Sequence, residues 1–254
     1  MKVPISVTII TKNEAENIEA CIQAALRVAD EIIVVDSLST DGTQQLCQIL
    51  GAIVIERPFE GYVEQKNAAI DLASFDHILS LDADEILSES LIQSILAAKS
   101  NFTADAYEVN RLNNYCGQWI RHSGWYPDRK IRLFDRRKAR WGGGRLHEHI
   151  VLEKNASLSL LEGDLLHYSY KNIPDHLNRI NRYTDIMALA AYESGKKAGL
   201  EKVIFSPFIN FNKRYFLKRG FLDGYYGFVI AIMGAYYNFM KYVKLRELQK
   251  EKEL

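Results

Sequence analysis

Three acidic residues, Asp82, Asp84 and Glu85, fall within four positions directly after an apolar run at residues 77–81. Carboxylates this close repel one another, and a divalent cation relieves the repulsion. Mg²⁺ and Mn²⁺ prefer carboxylate oxygens and usually keep coordination positions for water and phosphate oxygens. The pattern Asp82-Ala83-Asp84 therefore predicts a cation that clamps a diphosphate. The alternative is a solvated acidic turn before a helix that starts at Ser88.

Two further polar residues are candidates for the same site. Asp36 ends an apolar run, and in open α/β sheets a carboxylate there commonly accepts hydrogen bonds from a ribose or a base; the alternative is a helix cap. Lys66 opens a predicted helix and is either a diphosphate partner or a surface lysine. The first strand is followed by no glycine-rich dinucleotide fingerprint, and no phosphate-binding P-loop motif occurs.

The elements that would position these residues alternate along the first hundred residues. Continuous apolar strands are predicted at 5–11, 31–36, 52–56 and 77–81, with helices between them and a last helix at 88–99. Such alternation predicts a parallel sheet covered by helices on both faces. Ligands bind beyond the carboxyl ends of the strands in these sheets. The polar residues at those ends are Thr11, Asn13, Glu14, Asp36, Asp82 and Asp84.

The pattern changes after residue 104. Strands are predicted at 106–112 and 130–134, a loop at the glycines 142–144, and a helix at 175–195. The fold class expected is therefore α/β, with a mostly parallel, Rossmann-like sheet. We expect a domain over residues 1–195 and a separate C-terminal helical tail over residues 196–254.

Composition excludes several classes of protein. A chain of 254 residues with 48% hydrophobic residues buries a full core, so it is neither disordered nor fibrous. The three cysteines form no zinc-binding pattern, and the N-terminus shows no signal-peptide pattern, which favours the cytoplasm. A formal net charge of zero argues against a nucleic-acid partner.

The neutral total hides an asymmetry. Residues 1–195 carry a net charge of −7, whereas residues 196–254 carry +7. Within this tail, residues 224–240 contain no charge, and basic residues flank them on both sides. Tyrosines and an asparagine within the run favour an interfacial helix over a membrane span. We expect residues 203–244 to contact an anionic membrane surface; the alternatives are packing on the domain of residues 1–195 and a homo-oligomer interface.

The chain resembles the family 2 glycosyltransferases with the GT-A fold, and within them the bacterial lipopolysaccharide-core β-glucosyltransferases. The resemblance covers about residues 5–245 and rests on motifs that occur in the family's order. These motifs are Thr11-Lys12-Asn13-Glu14, Val35-Asp36-Ser37, Gln65-Lys66-Asn67, Asp82-Ala83-Asp84-Glu85, Trp125-Tyr126-Pro127-Asp128, Arg132-Leu133-Phe134 and Leu146-His147-Glu148.

The resemblance implies transfer of a hexose from a nucleotide-diphosphate sugar, a UDP-sugar by preference, with inversion. It places the nucleotide in the half formed by about residues 1–100 and the acceptor in the half formed by about residues 101–195. The nucleotide-sugar pocket would be lined by Thr11, Asn13, Glu14, Asp36, Lys66, Asp82 and Ala83. Asp84 would coordinate Mn²⁺ or Mg²⁺, with His167 as a second ligand; a satisfied buried histidine is the alternative for His167.

Family members place an acidic general base after the metal-binding motif, often in a Glu-Asp pair that this chain lacks. Glu148 of His147-Glu148-His149 occupies the comparable region and is the expected base. An inverting displacement needs one base to take the acceptor's hydroxyl proton. His147 and His149, with Trp125 and Tyr126, are candidate acceptor contacts. The alternatives are a surface turn for the histidines and core packing for the aromatic residues.

The expected acceptor is a glycan or a glycolipid, such as lipopolysaccharide core, at the cytoplasmic face of the inner membrane. Two rival functions fit the same residues: transfer to a polyprenyl phosphate, and a catalytically silent nucleotide-sugar-binding module. A nucleotidyltransferase would carry a glycine-rich loop after the first strand, where Thr11-Lys12-Asn13 stands instead.

Overall fold

The structure is a computed structural model that describes residues 2–144 and 147–251, without the side chains of His147 and Glu251. The chain divides into two compact units. The first unit contains Met1–Arg111 and Asp128–His167, and the second contains Leu112–Pro127 and Tyr168–Leu254. The division falls within two long strands, so neither unit is a single continuous segment.

Four parallel strands form one half of the main sheet of the first unit, in the order β3-β2-β1-β4. They are β1 (Ile5–Thr11), β2 (Glu31–Asp36), β3 (Ile53–Glu56) and β4 (His77–Asp82). Thr11 pairs in register with Asp36, so the polar ends of β1 and β2 lie side by side.

Four helices connect or follow these strands: α1 (Ile18–Ala25), α2 (Thr43–Ile49), α3 (Tyr62–Leu72) and α4 (Glu89–Ser100). Helix α4 begins where the Ser88 hydroxyl accepts a hydrogen bond from the Leu91 amide, which satisfies one donor of the first turn. The predicted helices and parallel strands of residues 5–100 are confirmed, with bounds that differ by a residue or two.

Further strands follow in the described part of the chain, and four of them extend the sheet, with mainly antiparallel pairs, in the order β4-β8-β6-β11-β5. They are β5 (Glu85–Leu87), β6 (Ala106–Tyr115), β7 (Gln118–Ile120), β8 (Asp128–Asp135), β9 (Ala139–Gly144), β10 (His147–Leu152) and β11 (Leu158–Tyr170). Strands β9 and β10 form a separate antiparallel pair.

Hydrophobic cores lie on both faces of the sheet, because neighbouring strand residues point to opposite sides. Val34 and Leu79 are buried in one core, together with residues of α1 and α4. Ile33 and Ile78, one position earlier in each strand, are buried in the other core with Ile70 of α3. The predicted sheet with both faces covered is therefore confirmed.

The prediction of a loop at glycines 142–144 is wrong, because these residues belong to β9. Gly143 has a φ of 103°, which a residue with a side chain rarely adopts. A Cβ on Gly142 would lie 2.7 Å from Cγ2 of Val151 on the facing strand. The glycines therefore allow close strand pairing here, rather than marking a turn.

The second unit is mainly helical. Its helices are α5 (Ile173–Glu193), α6 (Leu200–Asn212) and α7 (Gly224–Glu251), and α6 continues into a π-helical turn, Lys213–Leu217. Helix α7 packs against both α5 and α6. The buried Asp223, at the start of α7, accepts hydrogen bonds from the amides of Arg121 and His122, so it anchors the segment after β7. The predicted helical character of the C-terminal segment is confirmed, whereas its division from a domain over residues 1–195 stays a prediction.

Within residues 2–144 and 147–251, none of the helices has the combination of length and apolar character needed to traverse a lipid bilayer.

Candidate active site

A buried guanidinium lies at the centre of the predicted site. Arg132 of β8 donates from one nitrogen, Nη2, to Oδ2 of Asp82 at 2.9 Å and to Oε1 of Glu85 at 2.6 Å. Glu85 has no exposed surface, and its other oxygen accepts the backbone amide of Asp82 at 3.0 Å. The acidic run is therefore held by a cation from a strand nearly fifty residues later in the chain.

Lys66 of α3 supplies a second buried cation. Its Nζ lies 2.9 Å from Oδ1 of Asp82 and 3.7 Å from Oε1 of Glu148, and it sits over the ring of Trp141 at 4.1 Å. Asn67, the next residue, exchanges hydrogen bonds with the Trp141 backbone and so holds α3 against β9. Lys66 is only 4% exposed, so its interpretation as a surface lysine is wrong.

These contacts lower the pKa of the Asp82 carboxyl group. Burial alone would raise the pKa of this carboxyl group, but the charges of Lys66 and Arg132 outweigh burial and hold the pKa well below its usual value. Burial likewise opposes the charge of Arg132, while Glu85 and Asp82 raise its pKa. Both oxygens of Asp82 are engaged by protein cations, and its neighbour Ala83 is buried.

Asp84 and His167 come together, as the predicted pair of metal ligands requires. His167 pairs in register with Glu85 between β11 and β5, which brings its Nε2 to 3.2 Å from Oδ2 of Asp84. Two ligand atoms that share a cation at bonds of about 2.1 Å and roughly right angles lie about 3 Å apart. The pair therefore fits a cation, although in the described part of the chain no set of three or more His, Cys, Asp and Glu side chains forms a metal site.

Glu148 lies on β10, opposite Gly143 of β9, and is partly exposed to the same cavity as Lys66 and Asp82. His149 also lines this cavity. The side chain of His147 is outside the described part of the structure, so its predicted contact with the acceptor stays a prediction.

Four of the residues predicted to bind the nucleotide, Thr11, Asn13, Glu14 and Asp36, lie at or just after the ends of β1 and β2. The Asp36 carboxylate is fully buried and accepts hydrogen bonds from Ser39 and Gln44, and Asn13 bonds to the same turn through Ser39 and Thr40. The Glu14 amide donates to Thr43. Thr11 differs, since its hydroxyl is buried and has no hydrogen-bond partner among the described residues.

The site cavity has a volume of about 480 Å³ and is lined by basic side chains that the sequence alone did not identify as site residues. Arg111, Arg129 and Lys130 line it along β6 and β8. Arg111 and Lys130 share Asp128, at 2.8 and 3.1 Å, and Arg129 lies 4.0 Å from Glu108. Arg111 in the predicted strand at 106–112 and Lys130 in that at 130–134 are the available signal, because a strand that faces only a core would not carry charged residues.

Trp125 and Tyr126 belong to the second unit. Trp125 packs edge-on against Tyr115 at 5.6 Å, and the guanidinium of Arg121 lies 5.3 Å from the ring of Tyr126. Their predicted contact with the acceptor stays a prediction. By contrast, Trp141 of the first unit lines the site cavity.

Removal of the central guanidinium should destabilise the fold. We expect Arg132→Met to lower the free energy of unfolding by about 3 kcal/mol, because Glu85 and Asp82 lose a buried partner. The matched control is Arg140→Met, which breaks an exposed ion pair with Asp71 and should cost less than about 1 kcal/mol. Urea denaturation measures both values, and equal losses would contradict the central role of Arg132.

Comparison with known proteins identifies the family of the chain. The model of the family "Glycosyl transferase family 2" matches residues 6–156. An uncharacterized glycosyltransferase of Rickettsia typhi is 34% identical, over 96% of this chain and 87% of the relative. The lipopolysaccharide core biosynthesis glycosyltransferase LpsC of Rhizobium meliloti is 32% identical, over 96% of this chain and 92% of LpsC.

Among solved structures, the mannosyltransferase PcManGT of Pyrobaculum calidifontis, in complex with GDP-Man and Mn²⁺, superposes with a TM-score of 0.54. It is 15% identical, over 96% of this chain and 87% of that chain, so it supports the fold alone. The expected GT-A architecture and the resemblance to lipopolysaccharide-core enzymes are therefore confirmed. The chain belongs to glycosyl transferase family 2, and it is a glycosyltransferase.

Proposed function

We propose that the protein transfers a hexose from a UDP-sugar, with inversion, to an acceptor of the lipopolysaccharide-core type. The observation that carries the proposal is a single cavity that is lined by Glu148, Lys66, Asp82 and Arg132. Asp84 follows Asp82 by two positions in the sequence. The cavity thus combines a carboxylate that can accept a proton with fixed charges beside a potential diphosphate site. In this proposal, residues 1–100 supply the donor side and residues 101–195 the acceptor side.

Glu148 is the proposed general base. An acceptor hydroxyl attacks the anomeric carbon, and its proton passes to the Glu148 carboxylate as the bond to the diphosphate breaks. The Nζ of Lys66, which is fixed by Asp82 and Trp141, lies 3.7 Å from Oε1 of Glu148 and so places a positive charge beside the base. No second carboxylate is needed, because the diphosphate leaves as an anion.

Asp84 and His167 are the proposed ligands of a divalent cation. When bound, Mn²⁺ or Mg²⁺ would neutralise charge on the departing diphosphate. Two protein ligands suit this role, since such cations usually keep positions for phosphate oxygens and water. Lys66 and Arg132 fix Asp82 beside this pair, so the acidic strand end keeps its shape with or without donor.

Thr11 supports a donor pocket at the end of β1. A buried hydroxyl without a protein partner is costly, and a ligand that accepts its hydrogen bond removes that cost. Asp36, Asn13 and Glu14 then act by fixing the neighbouring turn, through their bonds to Ser39, Thr40 and Thr43, as well as by direct contact with the nucleotide.

Arg111, Arg129 and Lys130 suggest an acceptor that carries negative charge. Arg111 and Lys130 share Asp128, and Arg129 lies near Glu108. Arg111 also lies 3.6 Å from the buried Glu85. Arg129 and Lys130 are also well exposed, so they can leave their partners at little cost. A core sugar that bears a phosphate or a carboxylate fits this wall, and the LpsC relative's role in lipopolysaccharide core agrees with such an acceptor.

Substitution of the base tests the proposed reaction. We expect Glu148→Gln to reduce sugar transfer by at least about 100-fold, because the amide cannot take the acceptor proton, while UDP affinity changes little. The control Glu153→Gln alters an exposed carboxylate just after the same strand and should leave transfer unchanged. Transfer is followed by UDP release and donor affinity by calorimetry. Loss of UDP binding in Glu148→Gln would assign this residue to the donor instead.

Substitution of the predicted metal ligand tests the cation. We expect Asp84→Asn to abolish metal-dependent turnover, because a neutral amide is a much weaker ligand for Mn²⁺ or Mg²⁺. Chelation should inactivate the wild type, and added Mn²⁺ should restore it. Asp71→Asn, which alters an exposed carboxylate, is the control. The assay is run with UDP-glucose and with GDP-mannose, to test which nucleotide the donor carries. Full activity of Asp84→Asn would refute the metal assignment, and faster turnover of GDP-mannose would refute the UDP assignment.

We also propose that the second unit binds an anionic membrane surface through residues 203–244, at the cytoplasmic face of the inner membrane. Helix α6 and the following turns expose large apolar side chains, with Phe208 68% and Leu217 79% exposed. Lys213, Lys218 and Arg219 lie among them and are exposed as well. Apolar side chains with interspersed cations favour binding in the interface of an anionic bilayer.

Removal of two apolar side chains tests membrane binding. We expect the double variant Phe208→Ser, Leu217→Ser to bind phosphatidylglycerol-containing vesicles at least about tenfold more weakly, because buried apolar area drives interfacial binding. The control Leu177→Ser, Leu189→Ser removes exposed leucines of α5 and should bind normally. Vesicle co-sedimentation measures binding. A variant that alters oligomeric state but not vesicle binding would identify this surface as a homo-oligomer interface instead.

A further inference from the structure

A second cavity lies within the helical unit, and of the residues proposed for the transfer reaction only Trp125 lines it. It measures about 300 Å³, which is at the lower end of ligand-sized pockets. Residues of α5, α7 and the π-helical turn surround it. Its lining consists of Trp125, Tyr170, His176, Ile180, Tyr183, Arg214, Ile230, Met233, Gly234 and Tyr237.

Arg214 is the one charged side chain among the described residues that line this cavity. The other titratable base, His176, is neutral at pH 7, because burial lowers its pKa to about 4. Its Nδ1 lies 2.8 Å from the Tyr115 hydroxyl, so the imidazole already has a partner. The cavity therefore combines an aromatic wall with a single positive charge.

Only neutral acceptors contact the Arg214 guanidinium. Its Nε donates to Oδ1 of Asn210 at 3.0 Å, and Nη1 donates to the Ser123 carbonyl at 3.4 Å. None of the carboxylates in the described part of the chain lies within ion-pair distance of it. Arg179, on the adjacent α5, is instead paired with Asp175 at 3.1 Å.

This arrangement is energetically unusual. Burial lowers the pKa of Arg214, yet a guanidinium stays charged at neutral pH, and the two bonds leave most of its N–H donors unused. Partly buried charges are normally paired, because the loss of hydration is otherwise uncompensated. An anion in the cavity would supply the missing partner.

Gly234 of α7 provides the space for this guanidinium. A Cβ at this position would lie 2.7 Å from both Cδ and Nε of Arg214, and 2.8 Å from Oδ1 of Asn210. Any residue other than glycine would therefore displace the Arg214 side chain from its place along α7. The position of the Arg214 side chain in this cavity thus depends on the absence of a side chain at residue 234.

The elements that form the cavity also carry exposed apolar side chains. Phe208 and Leu217 lie on the helix and turn that flank Arg214, and Ile232 is next to the lining residue Met233. An anion with an apolar substituent would use both features, whereas a small hydrated anion would use only the charge.

We propose that this cavity binds the phosphate ester of a lipid, with the phosphate paired to Arg214 and the apolar part against the aromatic wall. The site is separate from the proposed transfer reaction, so it stands or falls independently of Glu148 and Asp84. It also differs from surface binding to a bilayer, because a soluble short-chain lipid is sufficient to occupy it.

Calorimetric titration of the full-length protein with dihexanoyl phosphatidic acid, kept below its micelle concentration, tests the proposal. We expect Arg214→Met to weaken binding by at least about tenfold, since a charge-assisted contact is lost. The control Arg182→Met removes an exposed arginine of α5 beside Tyr183 and should bind as the wild type does. Equal affinities of Arg214→Met and the wild type, or no binding by the wild type, would overturn the proposal.

Inorganic phosphate is the second probe. It should bind at least about tenfold more weakly than the short-chain lipid, because it makes no apolar contact. Equal affinity would overturn the lipid assignment in favour of a free phosphate. Gly234→Ala keeps the charge but displaces it, so it should also weaken lipid binding. If Arg214→Met does not fold by circular dichroism, unchanged binding in Gly234→Ala overturns the proposal.

Discussion

The buried ion pairs of Arg132 are the interaction on which the first unit depends. The guanidinium is nearly inaccessible, and its partners Asp82 and Glu85 lie at the end of one strand and the start of another. Charges this deep in a protein are tolerated only when each is paired and hydrogen-bonded. The strand that carries Arg132 must therefore lie beside β4, and this requirement fixes where the parallel half of the sheet meets the antiparallel half.

The same pairing prepares the site for chemistry. Two cations, Lys66 and Arg132, hold both oxygens of Asp82, so the acidic strand end is ordered before any ligand arrives. Trp141 lies beneath both cations and is itself held by Asn67 and Ser80. Groups fixed in this way need little reorganisation during a reaction, which is a main source of electrostatic stabilisation in enzymes.

The sequence reveals local features of this fold and conceals the distant ones. Apolar periodicity and strand-end polar residues predict β1 to β4 and the acidic motif, because each signal lies within a few positions. The partnership of Arg132 with Asp82 spans fifty residues and leaves no local trace. Strand β9 was missed for another reason: its glycines satisfy a close strand approach, which in the sequence looks the same as a turn.

Arg132 and Arg214 are both largely buried arginines, but they differ in the groups that contact the guanidinium. Arg132 is more deeply buried, yet its carboxylate partners raise its pKa, and the protein alone accounts for its position. Arg214 is less buried, but only an amide and a carbonyl contact it, and burial lowers its pKa. A buried charge that is paired with carboxylates is explained by the fold, whereas a largely buried charge without a carboxylate partner is the basis for the proposed ligand. By this criterion Arg132 is an organising residue of the first unit, and Arg214 marks the proposed ligand site in the helical unit.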